Sequence, residues 1–395
     1  MLNLSGSARG VLLAFLIGLS LVYFTKRSKP TEEIPPITVV ESERHAAQDE
    51  SISDNLNHDI FESQKSPAVS TEARPANSTL EVKKTVSMQD WRDSTEGFSV
   101  PNKSTRRVPT YDCSRLYEVQ GSEPSFLVVG VHKGGSTALY NYLCEHGQVV
   151  AAVCKEVHFF DRQFMRGKEF YLRHFPQLSE WKGKAITGEG SPAYIRDPKV
   201  AFLIKELYPN IKFLLTLREP TMRLRSQWLE QRRLPRGQRN PFGGLNCEGY
   251  WRASLQVIAQ CISSQTIHKC FGENYDNAIM QGLYYPQIVA WLSHFPPEQT
   301  MVIQSEMMFD NPEATMQRVA QFLGLRIFIK SEVERFESAN VGTKHHDMPE
   351  LAECDVVLKE MEEFYAPYNK QLWDLLAKRF DSAIRYWDKT KWPGL

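Results

Sequence analysis

The segment Phe126–Val131 reads FLVVGV and runs directly into a glycine-rich turn, Lys133-Gly134-Gly135-Ser136-Thr137. A short uncharged run with no polar alternation describes a strand buried on both faces, as in a sheet covered by helices. Two similar runs follow, Phe213–Leu217 and Met301–Gln304. Helix-start chemistry comes after each. Pro220 can occupy a first helical turn, and Asp310 or Asn311 can cap a helix that Pro312 opens, that runs to Leu323 and that stops at Gly324. Strands alternating with helices predict an α/β domain with a P-loop-like, largely parallel sheet flanked by helices.

The turn narrows the chemistry. Gly130-x4-Gly135-Ser136-Thr137 overlays the phosphate-binding frame GxxxxGK[ST], but Ser136 stands where that frame has lysine, and the lysine has moved into the loop as Lys133. Backbone amides of Gly134, Gly135, Ser136, Thr137 and Ala138, together with the dipole of the following helix, can still bind an anion. No aspartate ends the second strand, which runs into Arg218 instead. A magnesium-dependent phosphoryl transfer therefore lacks its usual ligand, and a transfer that needs no metal is expected. A kinase or nucleoside triphosphatase remains the rival from another class.

The chain is uneven. Residues 10–24, GVLLAFLIGLSLVYF, form an uncharged apolar run of the length of a short membrane span. With no cleavage site after it, the run reads as a transmembrane signal-anchor behind a short cytoplasmic tail, residues 1–9. Lys26, Arg27 and Lys29 after the run outnumber Arg9 before it, which favours the opposite orientation. The sequons at Asn77 and Asn102 favour a lumenal stem. From Pro30 to Val100 there are 14 acidic and 6 basic residues and no apolar period, so residues 25–120 read as a disordered stem and residues 121–395 as the folded domain. Zero net charge overall thus hides a mildly basic domain, suited to an anionic partner. Seven cysteines show no metal-binding spacing; in an oxidising compartment Cys261 and Cys270 are the expected local disulfide, and the odd count leaves one over.

Lys133-Gly-Gly-Ser-Thr-Ala-Leu139 resembles the 5′-phosphosulfate loop of Golgi carbohydrate sulfotransferases. Cys154-Lys-Glu-Val-His-Phe-Phe-Asp161 is similar to the segment that carries the catalytic base in heparan sulfate sulfotransferases, and Leu217-Arg-Glu-Pro220 with Ser226 to their 3′-phosphate site. Phe364–Leu372 resembles the final helix of enzymes that sulfate chondroitin-type N-acetylgalactosamine. The resemblance covers most of Phe126–Leu325. It implies a membrane-anchored enzyme of the Golgi lumen that moves a sulfuryl group from 3′-phosphoadenosine 5′-phosphosulfate (PAPS) to a hydroxyl or amine of a glycosaminoglycan-like polysaccharide, with no nucleic acid among its partners. Protein-tyrosine sulfation and a non-catalytic relative are the rivals within the class.

The implied roles follow the motifs. Glu156 is the general base and His158 its assistant or an acceptor-orienting group. Lys133 is a point charge at the oxygen bridging phosphate and sulfate. Arg218 and Ser226 bind the 3′-phosphate, and Lys344, in Gly342-Thr-Lys344, covers the nucleotide. Glu189-Gly-Ser-Pro-Ala-Tyr194 departs from the family pattern, because Gly190 replaces a common lysine and so removes an expected cation. Arg232, Arg233, Arg236 and Arg239 offer a basic run toward a polysaccharide or solvent; Gln281–Pro286 and Trp291 offer rings for sugars or for the core.

Overall fold

A computed structural model describes residues 112–264, 267–336, 349–380, 384–393 and 395. The expected tail, anchor, most of the stem, both sequons and Lys344 lie outside the described residues. Among the described residues no helix is long and apolar enough to cross a membrane.

Four parallel strands form the sheet: β1 (Phe126–Gly130), β2 (Gly188–Glu189), β3 (Lys212–Leu217) and β4 (Thr300–Gln304), in the order β2-β1-β3-β4. The apolar runs are continuous because both faces are covered. Leu127, Val129, Phe213, Leu215 and Leu217 face one cluster of buried residues, while Phe126, Val128 and Leu214 face another. Helix α1 (Ser136–Cys144) covers the second face; α2 (Pro198–Leu207) covers the first. Helix α3 (Pro220–Arg233) leaves the end of β3. Further along come α4 (Cys247–Ser264), α5 (Tyr284–Leu292), α6 (Pro312–Leu323) and α7 (Asp355–Arg379).

Local chemistry sets the helix ends as expected. Pro220 opens α3, and the Glu219 carboxylate accepts from the amides of Thr221 and Met222. Asn311 caps α6 at Ala314 N, 3.0 Å away, and Gly324 ends it in the left-handed region at φ 79°. Gln281, Gly282, Tyr284, Pro286 and Trp291 are buried, so these residues pack rather than present a sugar platform.

Cys261 and Cys270 are bonded. Two longer bridges, Cys113–Cys154 and Cys247–Cys354, were not legible from spacing, and Cys144 stands outside all three. The first bridge brings part of the expected stem into the fold: Cys113 is tied to the segment that begins at Cys154, and Tyr117 N–H donates to Arg173 O at 2.9 Å.

Cross-links stabilise in proportion to the logarithm of the loop they close in the unfolded chain. The Cys247–Cys354 separation of 107 residues corresponds to about 4–5 kcal/mol and the Cys261–Cys270 separation of 9 to about 2–3 kcal/mol. Thermal unfolding of the two paired-serine variants is therefore expected to show the larger loss for Cys247→Ser/Cys354→Ser; the reverse order would contradict it.

Candidate active site

Strand order changes direction between β1 and β3: β2 lies to one side of β1, while β3 and β4 lie to the other. At such a switch point the loops leaving the strand ends part and open a crevice. The loop after β1 carries His132 and Lys133, and Arg218 follows the last residue of β3. Arg218 Nη1 donates to Lys133 O at 3.4 Å, so the two cationic residues of the sequence motifs meet here. Tyr284 OH fixes the Arg218 carbonyl at 2.7 Å.

Backbone demands explain the glycines. A Cβ on Gly134 would lie 2.6 Å from Val131 Cγ2 and 3.0 Å from Thr216 O, and Gly135 has φ 88°. Both positions accept only glycine without strain. Gly135 is also the N-cap of α1, and no side chain caps that helix. The first-turn amides of Ser136, Thr137 and Ala138 precede the helix's own hydrogen-bond ladder, which leaves them suited to an anion.

Lys133 is not a solvated charge. Its Nζ is 3.0 Å from Glu230 Oε1, and Glu230 Oε2 is 3.1 Å from His132 Nε2. Burial would raise the Glu230 carboxyl, but the hydrogen bonds and charges of His132 and Lys133 outweigh it and hold the pKa at about 2. Glu230 stands four residues after the half-buried Ser226 on α3, and therefore on the same helix face. That spacing was the only sequence signal for it.

The second centre lies beyond β2. Glu156 Oε1 receives Lys155 Nζ at 2.6 Å, and Glu156 Oε2 is 3.5 Å from His158 Nε2. His158 Nδ1 is 2.9 Å from Asp161 Oδ2. Burial opposes charge on both residues. In Glu156 the hydrogen bond from His158 and the charge of Lys155 overcome it and hold the pKa at about 2; in His158 the hydrogen bonds to Asp161 and Glu156 push the pKa up to about 9. The imidazole is therefore doubly protonated at neutral pH and donates from both nitrogens.

The Glu189–Tyr194 motif holds this segment in place. His158 N–H donates to Ser191 Oγ at 2.9 Å, Ser191 Oγ–H to Glu189 Oε2 at 2.8 Å, and Phe159 N–H to Tyr194 OH at 2.9 Å. Burial pushes the Glu189 pKa up to about 7 against the opposing hydrogen bonds of Ser191 and Tyr194. Position 190 has no side-chain cation, and a different one lies beside it: Lys155 Nζ is 3.2 Å from Gly190 O. Lys155, Asp161 and Glu230 are thus the site residues that motif reading missed.

The basic run divides. Arg239 Nε and Nη2 donate to Leu234 O and Arg232 O at 2.9 and 2.8 Å, closing the end of α3 rather than facing a ligand. Arg232 and Arg233 line a pocket of about 200 Å³ with Trp228, Leu229, Glu350 and Glu353. Among the described residues no acidic, histidine or cysteine group is arranged to hold a metal ion.

Residues 123–352, more than half of the chain, match the family described as the sulfotransferase domain. Membrane-associated sulfotransferase kil1 of Dictyostelium discoideum is 24% identical over 319 residues, covering 65% of this chain and 66% of its own length. Heparan sulfate glucosamine 3-O-sulfotransferase 3B1 of Mus musculus is 26% identical over 336 residues, covering 80% of this chain and 78% of its own length. Among solved structures, a sulfotransferase from Alicyclobacillus acidocaldarius is 25% identical with a TM-score of 0.46, covering 65% of this chain and 96% of that one.

The His158–Asp161 pair gives a direct check. Its imidazole pKa is raised from 6.5 to about 9, so the stability it contributes is complete below 6.5 and lost as pH rises through about 9. The His158 ring protons should titrate near 9 by NMR, and Asp161→Asn should return the midpoint toward 6.5. A wild-type midpoint near 6.5 would refute the pairing.

Proposed function

The chain belongs to the sulfotransferase family, and from that premise we propose that it transfers the sulfuryl group of PAPS to a hydroxyl or amine of a glycosaminoglycan-like polysaccharide. The contact of the Arg218 guanidinium with the Lys133 backbone carbonyl carries the reading, because it holds the lysine-bearing loop against the end of β3 beside an uncapped helix N-terminus. Such a cradle suits a nucleotide with phosphates at two positions, Lys133 serving the 5′-phosphosulfate and Arg218 with Ser226 the 3′-phosphate. Lys344, outside the described residues, is assigned to the nucleotide by the resemblance alone.

In the transfer, the acceptor oxygen or nitrogen bonds to sulfur as the sulfur–oxygen bond to the 5′-phosphate breaks. The departing pair stays on phosphate, where Lys133 stabilises it, and adenosine 3′,5′-bisphosphate is released. Glu156 takes the acceptor proton. A carboxylate of low basicity suffices when the proton moves late, since the acceptor group becomes strongly acidic only as its bond to sulfur forms. His158, held by Asp161, directs the carboxylate. The relatives named for heparan sulfate support a polysaccharide acceptor. The three disulfides support an oxidising compartment, consistent with residues 10–24 as a signal-anchor and a domain in the Golgi lumen.

Incubating the full chain with radiolabelled PAPS in chelator should label heparan- or chondroitin-type polysaccharide. Label on acidic tyrosine peptides instead, or turnover of ATP with magnesium, would overturn the reading. Lys133→Ala and Glu156→Gln should each lower transfer by roughly 100-fold or more with the fold intact, while Arg218→Ala should chiefly raise KM for PAPS by roughly tenfold or more; full activity in Glu156→Gln would exclude it as the base. Because an anionic donor must approach the Glu230 carboxylate, Glu230→Gln should tighten adenosine 3′,5′-bisphosphate binding measured by calorimetry. Weaker binding would mean that Glu230 serves to aim Lys133.

A further inference from the structure

Lys155 is 1% exposed, and its ammonium reaches two groups of the candidate site, the Glu156 carboxylate and the Gly190 carbonyl. Residues 155 and 190 clasp each other: Gly190 N–H donates to Lys155 O at 2.9 Å, and Lys155 Nζ donates back to Gly190 O at 3.2 Å. A Cβ on Gly190 would stand 3.3 Å from Val128 Cβ, tight against β1, and without one the position contributes its backbone carbonyl. The same ammonium reaches Glu156 Oε1 at 2.6 Å.

We propose that Lys155 is the positioning residue of the reaction: tethered to the Gly190 carbonyl, it grips Oε1 of Glu156, keeps that carboxylate ionised, and leaves Oε2 as the edge that meets the acceptor proton. This rests on the sulfuryl-transfer reading above and adds a residue to it. A buried ammonium is costly unless paired and hydrogen-bonded, and here a carboxylate and a carbonyl provide both. The other charged groups around the pair are Glu189 at the end of β2, Lys133 from the loop after β1, and His158 with Asp161 and Arg162 on the far side of Glu156. Of these, His158 also favours the ionised carboxylate, so removing Lys155 weakens that bias without abolishing it. Burial lowers the Lys155 pKa and Glu156 offsets this only in part, which makes the contact the main support for its charge.

The test is the pH dependence of kcat/KM for the full-length chain and its Lys155→Met and Lys155→Arg variants, with adenosine 3′,5′-bisphosphate binding measured on each. Loss of the cation raises the Glu156 pKa, so the acidic limb of Lys155→Met should move up by one pH unit or more, while bisphosphate affinity stays within about twofold. Lys155→Arg should restore the limb toward its original place. An acidic limb unmoved in Lys155→Met, with or without a drop in kcat, would reduce Lys155 to a structural role and overturn the proposal. Should Lys155→Met fail to fold, Lys155→Gln decides on the same reading: an acidic limb at the wild-type position would overturn the proposal. Failure of wild type to bind the bisphosphate or transfer sulfate would instead strike the sulfotransferase reading.

Discussion

Parallel pairing of β1 with β3 is the constraint on which the site depends. Their register places Gly130 beside Leu215 and so delivers the Lys133 loop next to the strand end that becomes Arg218. Val131 N–H donates to Thr216 O at 2.9 Å, continuing the ladder into the loop, and Thr216 Oγ1 donates back to Gly130 O at 3.0 Å. Ser305 Oγ, just past β4, donates to Gly134 O. The loop is therefore anchored by three strands before any ligand arrives, which is the preorganisation that electrostatic catalysis requires.

Two carboxylates organise the charge of the candidate site, and each is flanked by two basic groups. Glu230 bridges His132 and Lys133; Glu156 sits between Lys155 and His158. The two clusters are electrostatically joined, since Lys133 also acts on Lys155. They differ in consequence. Glu230 holds the Lys133 ammonium, so in the proposed function it would compete with an anionic donor for that charge. Glu156 is backed by the buried Glu189–Ser191–Tyr194 network, which fixes the backbone of its segment rather than its charge.

Much of this was legible in the sequence for a physical reason. Strands buried on both faces show as uninterrupted apolar runs, and proline and asparagine caps mark helix starts, so β1, β3, β4 and α6 fall within a residue or so of their expected bounds and α3 starts at its expected proline. Strand β2 was not visible, being two residues long inside a motif read for chemistry. Loop and base motifs named Lys133, Glu156, His158 and Arg218 because their residue types are demanded locally. Lys155 and Glu230 escaped because their roles come from tertiary contacts, across 35 residues to Gly190 and 97 residues to Lys133. The long disulfides escaped likewise, since connectivity is a property of the fold and not of spacing.

Direct binding decides the central claim, that the loop after β1 and the end of β3 are built for a nucleotide carrying phosphates at two positions and used without a metal. Calorimetric titration of the full-length chain with adenosine 3′,5′-bisphosphate in chelator, set against ATP with magnesium, is the most direct measurement. The account predicts saturable binding of the bisphosphate in chelator and much weaker binding of ATP. Preference for ATP with magnesium, or no binding of the bisphosphate, would contradict it.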